Sequence, residues 1–158
     1  MKSIFVLITL IICNESFSGI LFQDLTIEKA IEKAKIENKK VFVDFYSTQC
    51  PPCAYMEKNV FSDQQLANHV NAEYIAVRSN AGNIEGKIEK AKYNVSLYPT
   101  ILIIDPDQGE IGRILGKKEV EELIKILIEI KEGTYQDKYQ VPVKKEMREG
   151  NILDVKRD

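Results

Sequence analysis

The chain has 158 residues, of which 44% are apolar and 29% charged, and its formal net charge is −2. That length supports one domain around one core and leaves little room for a second. No basic surface large enough to grip nucleic acid is evident, so nucleic acid is excluded as the expected partner.

The first eighteen residues have the pattern of an export signal. Lys2 supplies a positive start, residues 4–12 form a nearly unbroken apolar run, and Ser16-Phe17-Ser18 offers small residues for cleavage after Ser18. The run is well short of the roughly 20 residues that span a bilayer. A second reading attaches lipid at Cys13, behind Leu10-Ile11-Ile12, although Ile12 is bulky where such signals usually have a small residue. If Cys13 leaves with the signal, Cys50 and Cys53 are the only thiols of the mature chain. Linking them closes a tiny loop and removes little unfolded-state entropy, so chemistry explains the pair better than stability does.

Residues 26–38 predict an amphipathic helix, with Ile27, Ala30, Ile31 and Ala34 recurring at helical steps between Glu and Lys residues. Residues 41–46 (Val-Phe-Val-Asp-Phe-Tyr) predict a strand covered on both faces and central in its sheet. A helix is expected over 51–59, because proline is tolerated in a first turn, where its missing N–H has no partner anyway. Ser62-Asp63-Gln64-Gln65 resembles a capping box opening a short helix toward Val70. A strand at 74–77, a helix at 84–93 and strands at 100–105 and 111–115 follow. Pro106-Asp107-Gln108-Gly109 turns the last two strands into a hairpin, and a helix over 118–131 closes the domain. The expected class is α/β, a central mixed sheet of four to five strands with helices on both faces. The domain is set at 19–132, and residues from Gly133 to the end are expected to form a polar extension.

Cys50-Pro51-Pro52-Cys53 lies where the buried strand should turn into a helix, the position of a dithiol redox site. Zinc sites use the same spacing, so the pair alone is a modest signal. Val43-Asp44-Phe45-Tyr46 before it, Lys92-Tyr93-Asn94-Val95 ahead of Tyr98-Pro99-Thr100, and Gly116 before the last helix make it specific. With these motifs the chain resembles the thioredoxin family over residues 25–131. The segment Met56-Glu57-Lys58-Asn59-Val60-Phe61-Ser62-Asp63 is most similar to exported members such as the C-terminal thioredoxin domain of DsbD-type disulfide reductases. Three positions depart from the thioredoxin pattern. Gln49 stands where Trp usually precedes the first cysteine, in a chain without Trp; Pro51-Pro52 replaces Gly-Pro; and Ala54 replaces a basic residue.

Cys50, capping a helix, is expected to be the attacking thiolate, with its pKa lowered by the helix end. Pro51 and Pro52 have no N–H to offer it, which predicts a mild lowering and a reducing couple. Cys53, one turn further in, is the expected resolving thiol. The resemblance implies that Asp44 accepts the Cys53 proton, against the alternative of an edge-of-sheet Asp with an ordinary pKa. It also implies a cis peptide before Pro99, which places the Tyr98 backbone beside the thiols to pair with an extended substrate. Tyr98 itself is either a rim contact or a packed aromatic, and Pro51, Pro52, Tyr98 and Pro99 form the expected substrate-binding set. His69, the only histidine, falls on a polar helix and reads as a surface residue, and Asn94-Val95-Ser96 matches a glycosylation acceptor by a pattern too short to carry weight.

The expected activity is thiol-disulfide exchange by an exported monomer in the periplasm or bacterial cell envelope. It acts on exported protein or thiol substrates through mixed disulfides, with no cofactor and no metal. An exported reductase needs electrons carried across a membrane, so the resemblance implies a membrane electron-transfer partner. Two alternatives stay open: a metal-binding module that completes its ligand set across a dimer, and a non-catalytic adaptor that binds clients along the Pro99 edge.

Overall fold

A computed structural model describes residues 19–136. The expected signal at 1–18, with Cys13, and the extension beyond residue 136 lie outside the described residues. The elements in chain order are β1 (Phe22–Gln23), α1 (Ile27–Glu37), β2 (Lys40–Tyr46), α2 (Pro51–Tyr55), a π-helical segment (Met56–Val60), α3 (Gln64–Glu73), β3 (Tyr74–Asn80), α4 (Ile84–Lys92), β4 (Thr100–Asp105), β5 (Gly109–Leu115) and α5 (Val120–Glu132). The strands form one mixed sheet in the order β1-β3-β2-β4-β5. β2 is central as expected, parallel to β3 and antiparallel to β4.

Alternation along the strands sorts the core into two layers. Phe42, Ile101 and Ile103 face α2 with its π segment, α3 and α5, where they meet Met56, Val60, Phe61, Leu66 and Leu127. Val41, Val43, Phe45 and Leu102 face the other way, onto Ile27, Ala30 and Ala34 of α1 and onto Tyr93 and Val95. Full burial of a side chain such as Phe42 stabilises the fold by about 2 kcal/mol. Asp44 lies two residues from Phe42 in the same strand, so it points to the layer that carries α2 and the π segment.

The helix ends follow local chemistry. Thr26 caps α1 by accepting the Lys29 N–H, and Asn38 ends it in the left-handed conformation. The α3 cap differs from expectation: Asp63, not Ser62, accepts from the N–H groups of Gln65 and Leu66, at 2.9 Å each. Ser62 instead donates its hydroxyl to the Lys58 carbonyl. The helix expected over 51–59 widens into a π turn after Tyr55, closed by Phe61 N–H to Met56 O at 2.8 Å. Gly86 in α4 allows close approach to β3, since a Cβ there would collide with the Asn80 carbonyl.

Three further features depart from the sequence reading. β1 was not expected. His69 is half-buried rather than on the surface: its ring packs 6.2 Å from that of Tyr74, its Nε2 is buried with no partner among the described residues, and burial holds its pKa below the usual value. The domain also continues past Gly133, because the Tyr135 hydroxyl donates to the Arg113 carbonyl at 2.9 Å and its ring packs on the core.

Candidate active site

β2 ends at Tyr46, and the chain turns through Ser47 to Gln49 before Cys50 caps α2. Cys50 and Cys53 are joined in a disulfide. The two sulfurs differ in access: Cys53 is 3% exposed, whereas Cys50 is half-buried and flanked by the exposed Pro51 and Pro52. Cys50 Sγ accepts one hydrogen bond, from the Cys53 N–H at 3.2 Å. The two prolines place no other first-turn N–H near it, as their chemistry requires.

Asp44 is fully buried in the central strand, not at a sheet edge. Its Oδ2 accepts from Arg78 Nε at 3.0 Å, and its Oδ1 has no partner among the described residues. Arg78 is the register neighbour of Asp44 on β3, so the two side chains emerge on the same face. The guanidinium sits 4.2 Å from the Tyr46 ring centroid and 5.2 Å from that of Phe22, and its Nη1 meets Glu57 of the π segment at 3.2 Å. Burial pushes the Asp44 carboxyl up to about 6, against the downward pull of Arg78. Arg78 also lines a polar cleft of about 490 Å³ that opens beside Tyr46 and Ser79. The sequence reading missed both Arg78 and Glu57. Neither is close to Asp44 in sequence, and for Arg78 the available signal was a charge directly after the apolar residues 74–77.

The Tyr98-Pro99 peptide is cis. Pro99 is buried, and its carbonyl accepts from the Gly116 N–H at 2.9 Å, so the turn before α5 lies against it. Gly116 has φ +74, a conformation that favours glycine. The Tyr98 ring packs on the α1 side of the core and its hydroxyl is buried, so the side chain is a packed aromatic. The Tyr98 N–H and C=O have no hydrogen-bond partner among the described residues. Leu97, next to it, is 59% exposed. Among the described residues no three of His, Cys, Asp and Glu stand together as metal ligands would.

Comparisons with known proteins agree with this geometry. A family model described as a thioredoxin-like domain matches residues 27–131. The thiol:disulfide interchange protein DsbD of Haemophilus influenzae (strain PittEE) is 29% identical over 108 residues, covering 65% of this chain and 19% of that protein. The chain thus spans about a fifth of the length of the curated relatives it matches. Among solved structures, a candidate disulphide-isomerase from Bacteroides thetaiotaomicron superposes with a TM-score of 0.63 and 32% identity, covering 76% of this chain and 97% of that one. A thioredoxin from Thermus thermophilus gives 0.65 and 25%, covering 75% and 91%. The chain belongs to the thioredoxin-like domain family.

Proposed function

We propose that the protein is an exported disulfide reductase that cycles Cys50 and Cys53 between dithiol and disulfide. In the reduced protein the Cys50 thiolate attacks a substrate disulfide, forming a mixed disulfide and releasing one substrate thiolate. Cys53 then loses its proton to Asp44 and attacks the Cys50 sulfur. This releases the second substrate thiolate and leaves the protein oxidised by two electrons. A dithiol donor restores it by the same exchange in reverse.

The observation that carries this reading is the unequal burial of the two sulfurs, with Cys50 reachable and Cys53 enclosed. Asp44 supports it, since a carboxyl that titrates near 6 is mostly ionised at neutral pH and basic enough to take a thiol proton. The unpaired Tyr98 backbone supports pairing with an extended segment of the substrate, and the exposed Pro51 and Pro52 beside Cys50 are available to contact it. Export is supported by the pattern of residues 1–18 and by the DsbD relatives, which also suggest a membrane electron-transfer partner. Among the described residues no helix is long and apolar enough to cross a membrane.

Equilibration with glutathione buffers, followed by alkylation of free thiols, tests the direction. Because Cys50 has a single N–H donor, the midpoint is expected nearer the roughly −270 mV of thioredoxin than the roughly −120 mV of strong oxidants. A midpoint near the upper value would reverse the assigned direction.

A further inference from the structure

Arg113 on β5 is 6% exposed and lies outside the thiol site. Its Nε and Nη2 meet the two carboxylate oxygens of Glu110 at 2.8 Å each. The same guanidinium donates to the carbonyl of Tyr93 at 2.7 Å and to that of Asn94 at 3.4 Å. Those carbonyls lie at the end of α4, where Tyr93 is the cap and Asn94 turns left-handed with φ 53. A buried ion pair adds little net stability over well-packed apolar residues, so its clearest contribution is defined geometry. A planar fork that grips a carboxylate and two carbonyls at once fixes where α4 stops. Beyond that point Val95 is buried, the Leu97 carbonyl accepts from the Thr100 hydroxyl, and the chain reaches the unpaired Tyr98 backbone and the exposed Leu97.

We propose that Arg113 is a positioning residue for substrate binding. From the terminal hairpin it sets the Leu97-Tyr98 edge along which an extended, apolar-flanked polypeptide lies while its disulfide meets Cys50. The inference rests on the reading that the Tyr98 backbone pairs with substrate. It adds a distant residue that distinguishes polypeptide disulfides, which use the edge, from small disulfides, which do not.

The test measures steady-state kinetics with dithiothreitol as electron donor. One substrate is a short peptide with an internal disulfide and the other is hydroxyethyl disulfide, which dithiothreitol alone reduces slowly. Arg113→Lys keeps the charge but loses the fork, and Glu110→Gln keeps the shape but loses the ion pair, so one variant is available should the other fail to fold. The peptide KM should rise about tenfold with kcat nearly unchanged, while kcat/KM for the small disulfide stays within about twofold. Amide exchange at Val95 should accelerate in the same variants. An unchanged peptide KM in a folded variant would overturn the inference, as would equal losses on both substrates. If a peptide held on Cys50 of Cys53→Ala leaves exchange at the Tyr98 amide unaltered, the edge reading falls and the inference with it. If the unaltered protein turns over neither substrate, the proposed reductase function itself fails.

Discussion

Asp44 feels two opposed influences. Burial favours its neutral form most strongly, Arg78 favours the carboxylate, and the net result is a carboxyl titrating near 6. Its folded value is therefore raised above that of the unfolded chain. The stability that follows is fully present below about pH 4 and is lost as the pH climbs through 6, where the buried group ionises. Asp44→Asn should accordingly stabilise the oxidised protein at pH 8 by on the order of 2 kcal/mol and change little at pH 4. Denaturant melts at the two pH values check this, and an equal effect at both would contradict it. The same substitution should slow resolution of a mixed disulfide more than its formation, as read by rapid quenching. Arg78→Met removes the cation that holds the carboxyl down, so the pH at which resolution accelerates should move up by about one unit. A profile that stays in place would mean that Arg78 has only a packing role. Asp44 and the cysteines could be singled out in the sequence because their spacing is local. Arg78 was not, because it becomes the neighbour of Asp44 only when β2 and β3 align in register.

At the level of elements, the sequence was most readable where periodicity was long. Strand β4 matches its expected bounds, and α1 and the α4–β4–β5–α5 series differ from expectation only at their ends. β1 escaped detection because two residues carry no periodicity; it exists only through its parallel pairing with Ala76 and Val77. The π segment escaped because a widened turn has no residue signature. The cap of α3 was misplaced by one residue, since Ser62 and Asp63 are both good N-caps and backbone geometry selects the aspartate. Asp63→Ala should therefore cost about 1 kcal/mol of stability through two lost hydrogen bonds, whereas Ser62→Ala should cost clearly less. Chemical denaturation of both variants decides the matter, and the reverse order would restore Ser62 as the cap. Tyr135 was assigned to the extension because its local sequence is polar, yet its docking depends on a carbonyl of β5 far earlier in the chain.

For the whole molecule, the fold class and the thiol pair followed from the sequence, whereas the unequal burial of Cys50 and Cys53 did not. Gln49 stands before Cys50 where thioredoxins usually have a tryptophan, so no aromatic rim precedes the pair, and Leu97 exposes an apolar side chain next to Tyr98. Substrate recognition should thus depend on backbone pairing at Tyr98 more than on a flat aromatic face. If the export reading is right, protein recovered from the cell envelope begins at Gly19, which mass spectrometry of the intact chain checks; a lipid-bearing Cys13 at its start would establish the anchored form instead. The most direct test of the central claim is trapping: reduced Cys53→Ala and Cys50→Ala proteins are each mixed with a disulfide-bonded substrate, and the adducts are weighed. The account predicts a stable mixed disulfide on Cys50 in the first variant and almost none in the second. Adducts chiefly on Cys53, or on neither, would contradict it.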